Sequence, residues 1–305
     1  MTANRAEGVW VAALTPLNDD LSPDAGKLAS HCRWLMDQGA DGIALLGTTG
    51  EANSFSVAEK MRLMDELATA GIPGSALLPG TGTCAVPDTV ELTRKALEIG
   101  SAGVVMLPPF YYKNVSDDGL YAAYSEVIQR VGDPRLKIYF YHFPQMSATP
   151  ISHDLIERLL KAYPETITGI KDSSGQIDNM LEMCRRFPGF GVFAGSEQFL
   201  LPVARAGGSG CISATANVTA ALCAEVYAKR DSAEVDAIQE ELTAQRLAIQ
   251  SQPLIPALKA ITARRTGDDG WLRMRPPMVP LPVEAEQSLF AALEATRFAL
   301  PQAAE

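Results

Sequence analysis

A lysine closes the short β-branched run Ile167-Thr168-Gly169-Ile170-Lys171-Asp172, and the small turn residues Ser173-Ser174-Gly175 follow at once. The pattern reads as a strand that delivers an ammonium group to the mouth of a parallel sheet. Alternation expects Ile167, Gly169 and Lys171 on one face and Thr168, Ile170 and Asp172 on the other, with Gly169 leaving room for the lysine stem. Burial disfavours the charged ammonium. A neutral amine attacks a ketone to form a Schiff base, and the protonated imine draws electrons from the adjacent carbon, as aldol chemistry on a 2-keto acid requires. The same residues also fit a surface strand end with Lys171 salt-bridged to Asp172.

Three other stretches carry candidate chemistry. Gly47-Thr48-Thr49-Gly50-Glu51 places two hydroxyls between two glycines, a tight turn whose backbone N–H groups suit a carboxylate, with Thr49 as a further donor. It equally fits a strand-to-helix turn in which threonine caps the helix. In 137–144, alternation puts Tyr139, Tyr141 and Phe143 on one face. A tyrosine at the last inward position would stand beside Lys171 and could pass protons as general acid and base, or simply fill the core. Tyr111 and Tyr112, in the loop Pro108-Pro109-Phe110-Tyr111-Tyr112-Lys113, either line a site or pack at a subunit contact. His31, His142 and His153 are scattered and are read as structural or surface residues, without the cluster a metal needs.

These residues need a frame. Strand patterns fall at 9–15, 42–47, 75–80, 103–108, 137–143, 166–171, 191–195 and 210–213, with helical patterns between them at 23–38, 57–70, 85–99, 118–131, 152–162, 176–187 and 197–206. Eight alternating units are the number that closes a (β/α)8 TIM barrel, whose sites lie at the C-terminal ends of the strands. The fold class is therefore α/β, with residues 1–217 as the barrel catalytic domain and 218–305 as a C-terminal helical extension packed on it. Within that extension, 218–248 reads as one continuous helix, Pro253-Leu254-Ile255-Pro256 as a break, 257–265 as helix, 275–282 as an extended proline-rich linker and 284–298 as a last helix. The extension reads as an oligomer surface more than as a source of catalytic residues.

A 305-residue chain with 47% hydrophobic residues can bury a sizeable core. Its net charge of −10, with no basic run, excludes nucleic acid as partner. The five cysteines form no C-x-x-C pair, which argues against a disulfide framework or a zinc site. No apolar run reaches the ~20 residues that span a bilayer, and residues 1–8 lack the apolar stretch of a signal peptide. A cytoplasmic protein without membrane partners is expected.

Gly47-Thr48-Thr49-Gly50-Glu51, Pro109-Phe110-Tyr111-Tyr112, 141–144, Gly169-Ile170-Lys171 and Gly210-Cys211-Ile212-Ser213-Ala214-Thr215-Ala216-Asn217-Val218 together resemble the dihydrodipicolinate synthase and N-acetylneuraminate lyase family, in order and spacing along essentially the whole chain. The resemblance implies a class I aldolase acting on pyruvate or a related 2-keto acid, with no cofactor beyond the covalent imine and a homotetramer built from dimers. By position, Lys171 resembles the imine-forming lysine, Tyr141 the proton-transferring tyrosine, and Thr48 the hydroxyl that relays protons to it. A tyrosine from the neighbouring subunit, Tyr111 or Tyr112, completes the relay. Thr49, Gly50 and the main chain at Ile212 resemble contacts to the pyruvate carboxylate. Gly195 would approach the substrate closely, and Ser196 and Glu197 could read its hydroxyls, although a carboxylate at a helix start serves Glu197 equally well.

One departure is chemical. Dihydrodipicolinate synthases carry an arginine shortly after the Tyr141 equivalent, for the carboxylate of aspartate semialdehyde, and this chain has Met146 there. A thioether cannot pair with a carboxylate. The expectation is a lyase that cleaves, forms or dehydrates a hydroxylated 2-keto acid, whose second substrate or leaving group is neutral, hydroxylated or apolar. The competing expectations are a 4-hydroxy-tetrahydrodipicolinate synthase with another anchor, a metal-dependent barrel aldolase, and a non-catalytic 2-keto-acid sensor.

Overall fold

Side-chain alternation along each strand decides what enters the ring and what faces the helices. The computed structural model describes residues 5–300. Strands β1 (Gly8–Ala12), β2 (Gly42–Ala44), β3 (Val104–Met106), β4 (Ile138–His142), β5 (Ile167–Asp172), β6 (Gly191–Ala194) and β7 (Gly210–Ser213) form one parallel sheet in the order β2-β1-β7-β6-β5-β4-β3. Inward positions supply Trp10, Ala12, Ala44, Val105, Tyr139, Tyr141, Phe193 and Ile212, which pack together inside the ring. Outward positions such as Val9, Val11, Ile43, Phe140, Ile170 and Val192 join the apolar faces of the surrounding helices in the largest core.

The segment expected as a strand at 75–80 closes the ring without being a regular strand. After a single 3-10 turn, Gly74–Ala76, its Leu77 bridges Ile43 of β2 and its Gly80 bridges Val105 of β3, both in parallel sense. Leu78 N donates to Ile43 O at 2.9 Å, and Val105 N donates to Pro79 O at 2.9 Å. Pro79 can accept but has no N–H, which interrupts the ladder on one side. The architecture is the (β/α)8 TIM barrel.

Two local expectations are corrected. A register shift between Ile138 and Tyr139 pairs Ile138 with Ile167 but Tyr139 with Gly169, so Thr168 is an extra residue in β5. Ile167 consequently faces the helices with Ile138 and does not share the inner face of Gly169 and Lys171. The space over Gly169 is also not the lysine's: a Cβ there would meet Gly191 O at 2.3 Å and the Tyr139 ring at 2.7 Å.

The C-terminal region differs from the expected continuous helix. It forms helices Ala216–Ala228 and Val235–Gln250, separated by a polar turn in which Ser232 N donates to Lys229 O at 2.8 Å. Helix Ala216–Ala228 spans position 217 and sends Ala220, Cys223 and Val226 into the barrel core. Pro253 does not break a helix but caps one, Leu254–Thr266, with Pro256 in the first turn, where a missing N–H costs nothing. That helix, Trp271 and the last helix, Val283–Glu294, form a second apolar cluster with Leu14 and Ala214 just beyond β1 and β7. The extension is thus seated at the C-terminal mouth of the ring, the end where Lys171 opens.

Candidate active site

Tyr141 of β4 lies in direct register with Lys171 of β5, and the lysine Nζ stands 4.3 Å from the centroid of the tyrosine ring. Both side chains are buried, Lys171 to 5% exposure and Tyr141 to 4%. The alternative of a surface salt bridge to Asp172 does not form: the Asp172 carboxylate accepts from Ser174 N and from Asn179 Nδ2, each at 2.7 Å. The Thr48 hydroxyl is 3.3 Å from the Tyr141 hydroxyl, which joins the turn after β2 to the β4–β5 pair. Phe143 stacks beside Tyr141 with ring centroids 5.7 Å apart.

Thr48, Thr49, Tyr141, Lys171, Gly195 and Ser196 line one cavity of about 820 Å³ at the C-terminal mouth of the barrel. The turn that carries Thr48 and Thr49 is locked from behind. Thr15 Oγ1 donates to Gly50 O at 2.8 Å, and a Cβ on Gly50 would lie 2.9 Å from Ala13 O, so Gly50 braces the turn against β1. Glu51 takes a left-handed backbone conformation (φ 58°) and buries its carboxylate against the Lys259 ammonium, with both side chains fully buried. Lys259 also donates to Arg273 O at 2.6 Å. Burial pulls the Lys259 ammonium below its ordinary range, and the Glu51 carboxylate opposes that pull. A C-terminal helix therefore fixes the turn that presents Thr48.

Not every expected residue reaches the cavity. Glu197 is wholly buried behind the wall, where Ser213, Thr215, Thr219 and Arg246 all bond its carboxylate. It stabilises the ends of β6 and β7 and presents no oxygen to the cavity. Ile212, whose main chain is the expected contact, sends its side chain into the apolar interior of the ring. Gly195 does line the cavity, yet its lack of a side chain is required by β5: a Cβ would meet Ser173 Oγ at 2.1 Å and Asp172 O at 2.7 Å. Tyr111 and Tyr112 are 73% and 74% exposed, edge to face with each other, and neither lines the cavity with Lys171.

The wall also contains residues that the sequence reading placed outside the site. Arg246, Ile255 and the stretch from Pro277 to Pro282 line the same cavity as Phe143 and Met146. Their only local signal is the apolar character of Leu254-Ile255 and Met278-Val279 among prolines, and nothing in that pattern indicates what they face. Among the described residues, no group of three or more His, Cys, Asp or Glu side chains is placed to hold a metal, and no helix is long and apolar enough to cross a membrane. His31 is buried between Trp34 and Trp271, bonded to Asn217 Oδ1 at 3.0 Å, and desolvation holds its imidazole down at about 4.

The chain matches the model of the dihydrodipicolinate synthetase family over residues 5–296. A protein of Chloroflexus aurantiacus named as an uncharacterized DapA-like lyase is 33% identical over 94% of this chain and 96% of its own. The crystal structure of dihydrodipicolinate synthase from Agrobacterium tumefaciens superposes with a TM-score of 0.87 at 29% identity, covering 95% of this chain and 99% of that one. The chloride-inhibited dihydrodipicolinate synthase of Acinetobacter baumannii, complexed with pyruvate, superposes with a TM-score of 0.86 at 25% identity over 96% of this chain and all of that one. A matched family model over nearly the whole chain, on a barrel that buries a lysine beside a tyrosine at its mouth, makes this chain a member of the dihydrodipicolinate synthetase family and a lyase.

Proposed function

We propose that the protein is a Schiff-base lyase that uses Lys171 as nucleophile on pyruvate or a related 2-keto acid, with Tyr141 and Thr48 moving protons. The observation that carries this reading is the register pair Tyr141–Lys171, with the Thr48 hydroxyl 3.3 Å from the phenol. Lys171 Nζ attacks the C2 carbonyl, a proton passes to the departing oxygen through Tyr141, water leaves, and the imine forms. For cleavage of a 4-hydroxy-2-keto acid, the Tyr141 oxygen takes the C4 hydroxyl proton and the C3–C4 bond breaks. Its electron pair passes through C3 to the iminium nitrogen, an aldehyde leaves, C3 is protonated, and water hydrolyses the imine to release pyruvate. Dehydration of a 2-keto-3-deoxy acid would use the same imine.

Thr49 and the turn around Gly50 are the proposed seat of the 2-keto-acid carboxylate, together with the main chain of Ile212, while Gly195 and Ser196 form the neighbouring wall. No cofactor is needed, since the imine itself withdraws electrons. The exposed tyrosines suit a homotetramer in which Tyr111 or Tyr112 reaches a partner's site, and the protein is proposed to work in the cytoplasm. The division into a barrel, expected as 1–217, and an extension, expected as 218–305, is likewise a proposal: the second apolar cluster supports a separate extension, whereas helix Ala216–Ala228, packed into the barrel core, moves the boundary past Ala228. The pyruvate bound in the Acinetobacter baumannii relative supports the choice of keto acid.

A second reading, 4-hydroxy-tetrahydrodipicolinate synthase condensing pyruvate with aspartate semialdehyde, is favoured by the name of the Agrobacterium tumefaciens relative. It is disfavoured by Met146 at the cavity mouth. Pyruvate release from 4-hydroxy-2-keto acids, followed through coupled reduction to lactate, tests the first reading. Turnover of aspartate semialdehyde with pyruvate, and none of the hydroxy keto acids, would establish the second instead.

A further inference from the structure

The cavity is far larger than a three-carbon acid needs, and what lines its outer part specifies the rest of the substrate. About 820 Å³ falls in the range of sites that enclose drug-sized ligands. Phe143, Met146, Ile255, Met278, Val279 and Leu281 supply most of its apolar lining, from the turn after β4, the start of helix Leu254–Thr266 and the proline-rich stretch. Charged groups in the lining are Lys171, Asp172 and Arg246.

None of the three offers the lining a positive charge that is both unbalanced and uncommitted. Lys171 is the nucleophile at the floor. Asp172 is an acid, held by Ser174 N and Asn179. Arg246 is balanced by the buried Glu197, with its Nη1 3.2 Å from that carboxylate and 3.0 Å from Thr215 Oγ1, and its Nε on Gln250 Oε1 at 3.0 Å. Apart from Tyr141 and the turn after β2, the uncharged polar side chains of the lining come from the turns after β4, β5 and β6 (Gln145, Ser173, Ser174, Ser196 and Gln198) and from Gln250, and of these Gln145 Nε2 already donates to Ser174 O at 2.6 Å and Gln250 Oε1 accepts from Arg246 at 3.0 Å. A polyhydroxylated chain placed against the methionine, isoleucine and valine side chains would lose its water for few new partners.

Resting on the Schiff-base reading, we propose that the group carried on C4 of the keto acid is apolar, an aryl or branched alkyl substituent, so that the aldehyde half of the reaction is an aryl or branched alkyl aldehyde. Apolar groups gain from burial against this wall, and discrimination of one such group from a polar one is worth about tenfold or more. The methionines let the wall fit rings and branched chains alike. Bonds made and broken are those of the cleavage above, with the aldehyde released as R–CHO and pyruvate recovered by hydrolysis of the imine.

The test compares kcat/KM for pyruvate release from three 4-hydroxy-2-keto acids whose C4 group is phenyl, a trihydroxypropyl chain or a carboxymethyl group. The phenyl compound is expected to exceed both others by at least about tenfold. Equal or higher values for either polar compound overturn the proposal. Met146→Arg is expected to raise the carboxymethyl-to-phenyl ratio about tenfold, because a guanidinium at that place can pair with a carboxylate; an unchanged ratio counts against the proposed wall. Reductive trapping with pyruvate keeps the two levels apart. A trapped adduct without apolar preference refutes this inference alone, whereas absence of trapping refutes the Schiff-base reading beneath it.

Discussion

Tyr141 and Lys171 are paired residue for residue across two adjacent parallel strands, with the lysine Nζ 4.3 Å from the centroid of the phenol ring. Neighbouring strands fix this separation through backbone hydrogen bonds, so the nucleophile and its proton carrier are positioned by the sheet itself and not by a mobile loop. Catalysis that depends on orientation gains from such a rigid mount.

Removing the phenol hydroxyl should slow chemistry without disturbing the barrel. Tyr141→Phe is expected to lower kcat by roughly 10²–10⁴-fold, the usual contribution of a positioned acid–base group. Circular dichroism and thermal unfolding should match the parent protein. Unchanged kcat would remove Tyr141 from the proton path.

Thr48 acts through the tyrosine and should matter less. Thr48→Val removes a hydrogen bond of 3.3 Å. One such bond, worth about 0.5–1.5 kcal/mol, corresponds to roughly a 2- to 12-fold loss in kcat. Thr48→Ser should recover most of it, because the serine hydroxyl can take the same place. A rescue that fails would mean the methyl packing, and not the hydroxyl, is what counts.

Much of this site could be read from residue types alone, and the remainder could not for identifiable reasons. Lys171 and Tyr141 sit at the C-terminal ends of runs whose alternation marks them as inward-facing. The bulge at Thr168 escaped because register belongs to a pair of strands, and Ile138 pairs with Ile167 only when both are present. The burial of Glu197 depends on Arg246, 49 residues away along the chain, and on three hydroxyls, one at the end of β7 and two after it. Ile255 and Met278 form a wall through packing between distant segments, which no local period encodes.

The Glu51–Lys259 pair offers a stability test that also reports on the site. Both side chains are fully buried. Lys259→Met strands the Glu51 carboxylate and should cost about 3–5 kcal/mol in urea unfolding. The double change Glu51→Gln with Lys259→Met should cost clearly less, since no uncompensated charge remains. Equal losses for the single and double variants would show that packing, not charge, is responsible.

Gly195→Ala should be harmful although the residue is small and partly accessible. The added Cβ would sit 2.1 Å from Ser173 Oγ and 2.7 Å from Asp172 O. Separation of the β5 and β6 ends should cost roughly 1–3 kcal/mol and displace Lys171 enough to reduce turnover. Wild-type stability and turnover would contradict the tight approach of these two strands.

Acid should weaken the fold through His31. Its imidazole is held at about 4 by burial, against an ordinary value of 6.5, so the unfolded chain binds a proton that the folded chain refuses between those values. The contribution is complete above pH 6.5 and is lost as pH falls toward 4, amounting to at most about 3 kcal/mol. His31→Gln keeps a donor for Asn217 and cannot titrate, so its stability should fall less over that window. Parallel pH curves for the two proteins would assign the acid loss to other groups.

The most direct measurement is borohydride reduction in the presence of pyruvate, followed by peptide mapping. A covalent adduct with the mass of one reduced pyruvate is expected on the peptide that contains Lys171, and it should be absent from Lys171→Ala treated in the same way. No adduct on the parent protein, or an adduct of equal yield on another lysine in Lys171→Ala, would contradict the assignment of Lys171 as the imine-forming residue.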